Sequence, residues 1–531
     1  MEQRISFYKE HYDVIVIGGA LAGMSAALSL AKQGKSVLIL ERHNLPGGVA
    51  TSFVRGGVEM EASLHEMMSI GSKEHPLSVR TYLEDLGVNI DWLRVPEAYR
   101  LYVPTDHIDT TLHAGVDEDG VYIAAKEIEK VCPGNQEKID KLLHICKEIV
   151  DSTNYLNEHE VSKIDMVKNH WSMTVTAGYS AQEVMDALGI SKDAQKLLSG
   201  YWIYVGQPIS SLPFTIFGYL MGDYMTGGSY VPRDFSFGLA SAMAKRCEEL
   251  GVQFEFGVEV DKILVKDRKA YGVRTKDGDE IHGTYIVSGV YPDAVYGRMI
   301  EPLSEVPEQA YKLIHGRKES VSCFSVVLQL DQTPEELGIE DYSVFDSDTP
   351  FDPDAFWEEG KGLGPWHYLT TICLNKANPE AVRKGTTSLS ITALPLPESF
   401  FNVKADDYYE TRRKIARYFI ERESKRIGVN LFDHILEIEY ETPVSVYHYV
   451  GQHRGGIYGY QHTMEDSVAA RLLHYGEEHY IKNLAWASAA SLAGDGMAVC
   501  INNGAIAAKI IEGWDGEKGE WRWRNSKSKT C

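Results

Sequence analysis

Gly18, Ala20 and Gly23, with Glu41 downstream, have the types and spacing of a clamp for an ADP-ribose group. They lie in the order such a clamp needs. A buried-type strand from Tyr12 to Ile17 enters the turn, a helical run from Met24 to Gln33 leaves it, and a second strand from Ser36 to Leu40 ends at the acid. Gly18 permits the tight turn, and Gly23 lets the helix pack closely on the strand. The helix N-terminus offers free N–H groups and the positive end of its dipole to a pyrophosphate. Glu41 is placed to accept hydrogen bonds from a ribose hydroxyl. Ala20 stands at the middle position of G-x-G-x-x-G, where its methyl group pushes the backbone slightly away from the phosphates.

Other chemistries find little support. There is no Ser-His-Asp arrangement and no H-E-x-x-H spacing, so hydrolase and metalloenzyme readings are poor and no metal site is expected. The 7 cysteines are scattered and odd in number, with no C-x-x-C, which disfavours a disulfide framework or a structural zinc. A reducing, cytoplasmic setting fits best. A net charge of −23 argues against nucleic acid as a partner and against anionic membranes as the main one. Met1 to Arg4 leads straight toward the first strand, so no secretory leader is expected, and no apolar run is long enough to span a bilayer.

At 531 residues, with 44% hydrophobic residues, two or more globular domains are expected. Residues 76–224 read as mostly helical, with examples from Gln136 to Asn157 and from Ser180 to Leu198. The aromatic stretch from Tyr201 to Met221 reads as core, or as the wall of an apolar channel. A helix from Leu239 to Leu250 precedes strands from Gly251 to Phe256, Val258 to Ile263 and Ala270 to Thr275. A turn at Lys276 to Asp279 and a strand from Tyr285 to Val290 follow. Later strands are read at Cys323 to Leu330, Tyr368 to Cys373 and Thr387 to Ala393, with a helix from Asp406 to Gly428. A closing strand from Leu484 to Ala487, a turn at Gly494 to Gly496 and a helix from Ala498 to Glu512 end the pattern; the tail around Trp521 to Arg524 reads as loosely ordered. The fold class is α/β: a discontinuous Rossmann-like nucleotide domain (1–75, 225–305, 475–531) with an α+β substrate domain (76–224, 306–474).

Four stretches resemble the phytoene desaturase, carotenoid isomerase and retinol saturase group of FAD-dependent oxidoreductases. They are Val14 to Phe53 with Pro46-Gly47-Gly48; Val231 to Phe235 with the helix after it; Thr442-Pro443 with Gly455-Gly456-Ile457-Tyr458-Gly459; and Leu484 to Ala508. The chain departs from that group's glycines at Ala20, at Asp234 and Phe235, and at Ser488.

The resemblance implies FAD. It places Gly18, Ala20, Gly23 and Ser25 at the pyrophosphate, Glu41 at the adenosine ribose and Arg42 beside the adenine. Gly47 and Gly48 approach the flavin side. Val260, in mid-strand, offers backbone groups to the adenine edge, and Asp495, between Gly494 and Gly496, bonds ribitol or a phosphate. The helix after Gly496 directs its N–H groups at the flavin pyrimidine. Two catalytic candidates follow: His65, whose imidazole ordinarily titrates near neutrality, and Tyr458, whose phenol can donate a hydrogen bond. Glu59 and Glu61 read as solvated strand residues. The implied activity is saturation, desaturation or isomerisation at a carbon–carbon double bond of an apolar polyene, isoprenoid or unsaturated acyl substrate. The alternatives are an amine oxidase-like flavoenzyme and a non-catalytic, flavin-bound lipid carrier. The electron partner and the oligomeric state stay open, as does peripheral membrane contact.

Overall fold

The structure, a computed structural model, describes residues 8–159, 162–466 and 480–515. The strand Tyr12–Ile17 is buried at every position except Asp13, as a parallel strand covered on both faces must be. It pairs in parallel with Val37–Glu41 on one side and Glu280–Ser288 on the other. Asp13 closes the unit by accepting hydrogen bonds from Ser36 N–H at 2.7 Å and Ser36 Oγ–H at 2.8 Å.

Between these strands the helix Leu21–Lys32 begins earlier than periodicity predicts. Ala20 is its extended N-cap residue, and Gly23 falls inside the first turn because a Cβ there would lie 2.2 Å from Gly18 O. The helix is buried on nearly all sides, between the sheet and a second helix, Met497–Asp515. A Cβ on Gly504 would meet Ala22 O at 2.2 Å and Ser25 Cβ at 2.5 Å, so the two helices approach at backbone distance.

Among the described residues this sheet has eight strands. Beyond Glu280–Ser288 lie Lys269–Thr275, Val260–Lys266 and Ile300–Glu301, and beyond Val37–Glu41 lies Gln253–Phe256. Glu280–Ser288 is one strand with two partners on one edge. Its start is antiparallel to Lys269–Thr275, and its end is parallel to Leu484–Trp486.

The second sheet has, among the described residues, seven strands in the order Ile435–Glu441, Phe324–Leu330, Thr387–Ala393, Tyr368–Cys373, Ser343–Ser347, Tyr99–Val103 and Ile108–Leu112. The last two are strands within residues 76–224, a stretch whose elements are otherwise mostly helices, as expected. Tyr99–Val103 alternates buried and half-buried residues, the two-residue period of a strand. It pairs in parallel with Ser343–Ser347, a partner far away in sequence. The helix read from Ser180 to Leu198 is two, Ala181–Ala187 and Lys192–Leu198, separated at Gly189, whose φ is +69°. Trp521 to Arg524 lies outside the described residues.

A methyl group at the helix crossing has nowhere to go. Gly504→Ala is expected to lower stability by roughly 1–3 kcal/mol, the usual cost of overpacking, read from urea unfolding. An unchanged midpoint would mean that the helices stand further apart.

Candidate functional site

A cavity of about 510 Å³ runs from the first turn toward the second sheet. Gly18, Ala20, Glu41, Arg42, Gly47 and Gly48 line one part of it. Gly18 has φ +99°, which only glycine adopts without strain. The helix Leu21–Lys32 has no side-chain cap and no acid in its first turn, so its N-terminal amides remain available to an anion. Gly47 N–H donates to Gly19 O at 2.9 Å. A Cβ on Gly48 would stand 2.9 Å from the Ala20 Cβ. Gly48 therefore makes room for the methyl group that departs from the three-glycine pattern.

Glu41 is 6% exposed and fixed by the backbone: Oε2 accepts Gly19 N–H at 2.7 Å, and Oε1 accepts His43 N–H at 2.8 Å. Each oxygen keeps a lone pair for a further donor. Arg42 donates to Tyr449 O at 2.8 Å. Val260 lines the wall, but as the first residue of Val260–Lys266 and not in mid-strand.

Two residues placed at the pyrophosphate lie elsewhere. Gly23 serves the packing of helix on turn and does not line the cavity. Ser25 is fully buried on the opposite side, where its hydroxyl donates to Ile501 O at 2.7 Å and meets Tyr82 Oη at 3.0 Å. The helical turn between Ala22 and Ser25 rotates it toward Met497–Asp515.

At the turn 494–496, Asp495 and Gly496 line the cavity, while Gly494 packs under the His462 ring. Asp495 Oδ2 is 3.3 Å from His462 Nε2. Asn503, which the sequence reading missed, holds this turn. Its amide donates to Ser488 O at 3.0 Å and Gly494 O at 2.8 Å, and accepts Ala493 N–H at 3.0 Å. Ser488 uses its hydroxyl within the same loop, accepting Ala490 N–H at 3.2 Å.

His65 and Tyr458 both line the cavity. The His65 loop is pinned at several points: Tyr342 Oη–H donates to His65 O, Met67 and Tyr230 exchange backbone hydrogen bonds, and Asp223 accepts Ser69 N–H at 2.8 Å. Burial pushes the His65 imidazole down to about 4, so it is neutral at pH 7 and not the near-neutral titrating group its type implies. Burial pushes the Tyr458 phenol far above its ordinary value, so it keeps its proton.

The adjacent Glu66 was also missed. It is 7% exposed, and burial raises its carboxyl to about 8. Tyr201 Oη–H donates to its Oε1 at 3.3 Å, and the Tyr204 and Ser229 hydroxyls beside the carboxyl partly offset the effect of burial. Glu441, at the end of its strand, also lines the cavity and is raised to about 7. From the aromatic stretch, Tyr204, Ile216, Tyr219 and Leu220 face the cavity, whereas Tyr201, Phe214 and Phe217 are packed inside. No local pattern marks either glutamate, because the residues that bury them come from distant segments.

Glu61 corrects another expectation. It is not a solvated strand residue but accepts Ser236 N–H at 2.8 Å and Ser236 Oγ–H at 2.6 Å. It thereby caps the helix Phe235–Glu249, whose own N-cap residue Asp234 makes no side-chain cap. Phe235 sits at φ +58° where the resembled group carries glycine. Burial raises the Glu61 carboxyl in spite of these donors.

Residues 21–364 match the family model described as flavin containing amine oxidoreductase. The chain is 23% identical to an all-trans-retinol 13,14-reductase of Danio rerio, over 95% of this chain and 86% of that protein. It is also 23% identical to prolycopene isomerase 2 of an Oncidium hybrid cultivar, over 82% and 73%, and to a 4,4'-diapolycopene oxygenase of Methylomonas sp, over 84% and 87%. Among solved structures it is similar to an oxidoreductase from Methanosarcina mazei (TM-score 0.59, 15% identity, 93% and 99% of the two chains). It is similar also to a putrescine oxidase bound to putrescine (TM-score 0.61, 12% identity, 95% and 98%).

The geometry separates two variants. Glu41→Ala strips the partners from two amides, which costs about 1–3 kcal/mol for each left buried, and is expected to lower the flavin-to-protein absorbance ratio. Ser25→Ala is expected to leave that ratio unchanged while lowering the melting temperature. Loss of flavin from Ser25→Ala would return Ser25 to the cradle.

Proposed function

The chain belongs to the flavin containing amine oxidoreductase family, and from that premise we propose that it acts on a carbon–carbon double bond of an apolar polyene, isoprenoid or unsaturated acyl substrate. Its cofactor is FAD. The uncapped helix end, the Ala20–Gly48 fit and the fixed Glu41 carboxylate suit a dinucleotide. Bound FAD supplies a two-electron hydride carrier. The segments 1–75, 225–305 and 475–531 hold it, and the segments 76–224 and 306–474 hold the substrate.

The observation that carries the substrate class is the character of the chamber around His65. Its wall is mostly aromatic and aliphatic; the imidazole, the Tyr458 phenol and the Glu66 carboxyl are uncharged at pH 7, and Glu441, raised to about 7, is partly so. Such a chamber takes an uncharged, extended chain without leaving a buried ion unpaired. A cationic amine would find no fixed negative charge on these three groups. Relatives whose names include a retinol reductase and a prolycopene isomerase support the same class. The pinned His65 loop keeps the imidazole in one place, where it accepts or donates a hydrogen bond but holds no charge. Tyr458 donates a hydrogen bond to substrate and helps to exclude water. The reaction is saturation, desaturation or isomerisation.

Anaerobic mixing of the holoenzyme with conjugated polyene lipids, beginning with all-trans-retinol, tests this reading through the flavin band and product chromatography. A changed lipid is expected. His65→Ala and Tyr458→Phe are expected to lower turnover by about 10²-fold or more with flavin retained. Turnover unchanged in both variants would move the site. Peroxide formed from amines, with every lipid inert, would overturn the substrate class, and lipid binding without conversion would make the protein a carrier.

A further inference from the structure

We infer that Glu441, Ser325 and Thr392, which form one polar row across three adjacent strands in the wall of the cavity, are the subsite for an alcohol group on the substrate. This rests on the proposed apolar-chain reading and adds to it the polar group that the chain carries.

The row follows from strand register. In Phe324–Leu330, Ser325 stands directly opposite Glu441 of Ile435–Glu441 on one side and Thr392 of Thr387–Ala393 on the other. Residues opposite each other in antiparallel strands share a face, with Cβ atoms about 4.5–5.5 Å apart. All three line the cavity. Leu394, two residues beyond Thr392 and on the same face, lines it too, so the row is bordered by apolar wall. Three glutamates share the strand face of Glu441. Glu439 pairs with Arg55 at 3.1 Å, and Glu437 lies over Gly56. Glu441 has no cation beside it among the described residues; its neighbours are the Cys323 thiol, which burial keeps protonated, and the Glu61 carboxyl. It is half-buried, and its oxygens are not sealed from the cavity.

The hydrogen-bonding capacity of the row selects its ligand. Ser325 Oγ and Thr392 Oγ1 stand 2.8 Å apart, so one of their two hydroxyl hydrogens is used between them. The other finds only the Cys323 sulfur, a weak acceptor. The row therefore offers one open acceptor, at Glu441, and one open donor, at the hydroxyl pair. An alcohol satisfies both at once: its O–H donates to the carboxyl, and its oxygen accepts from the pair. A hydrocarbon end desolvates the row and leaves both groups unmet. A carboxylate end brings a second negative charge to Glu441. An ammonium end meets the carboxylate but has no lone pair to accept the hydroxyl hydrogen.

Three chains that differ only at one end separate these cases: all-trans-retinol, the hydrocarbon with a methyl group in place of its hydroxymethyl group, and the corresponding amine. Dissociation constants are read from the flavin band of the holoenzyme, and conversion from product chromatography. Wild type is expected to bind the alcohol about tenfold or more tightly than the hydrocarbon, the effect of one or two satisfied hydrogen bonds. Glu441→Leu is expected to bring the alcohol to within about twofold of the hydrocarbon, with flavin retained, because the acceptor is gone. Thr392→Val, close in volume, is expected to reduce the preference by about threefold. Equal affinity of wild type for alcohol and hydrocarbon, or an unchanged preference in both variants, overturns the inference alone. Tighter binding of the amine than of the alcohol does the same. Loss of flavin from both variants would assign the row to the cofactor and also overturn it. A preference for the alcohol without conversion keeps the subsite and overturns the function reading, and binding of none of the three overturns both.

Discussion

The backbone-distance crossing of Leu21–Lys32 with Met497–Asp515 underlies everything else in the cofactor cradle. Gly23 sets the height of the first helix over its turn, and Gly504 sets the distance of the second helix from the first. Once both are fixed, the free amides at the start of Leu21–Lys32 and the turn 494–496 lie along one cavity. Ser25 and Ile501 add a hydrogen bond across the crossing, and Asn503 carries the constraint into the loop that bears Asp495. Small residues in these helices are thus geometric requirements.

Inside the cavity the governing quantity is solvation. Carboxyl, imidazole and phenol groups that would be ordinary on a surface are pushed toward their uncharged forms, each in the direction burial dictates. Glu61 shows the same penalty where the purpose is structural, with its donors committed to the helix that follows Phe235. At Glu41 two backbone amides meet the carboxyl oxygens directly. The same carboxyl group is therefore held by backbone amides at Glu41, caps a helix at Glu61 and is enclosed by tyrosines at Glu66, according to which donors reach it.

What could be read from the sequence divides along the same line. The turn at Gly18 and the acid at Glu41 are legible because local chain geometry alone fixes their spacing. The strands Tyr368–Cys373 and Thr387–Ala393 are legible from apolar runs with sharp ends. Tyr99–Val103 is not, since its parallel partner is Ser343–Ser347 and neither predicts the other. Ser25 has the right sequence position for a phosphate contact, but helical rotation turns it to the wrong face. Glu66 looks like any polar residue until Tyr201, Tyr204, Tyr224 and Tyr342 close around it, and these come from two separate stretches.

The hydrogen bond from Ser25 Oγ–H to Ile501 O joins residues 476 positions apart. A nascent chain that has formed its first strand and helix therefore has a half-built pocket with one wall missing. That wall is synthesised 476 positions later, and contacts of such long sequence separation are slow to form. The exposed alanine- and leucine-rich helix must wait, shielded by partial collapse or by a chaperone, until the helix containing Gly504 leaves the ribosome. Cofactor capture in this sense comes late in the folding of the molecule.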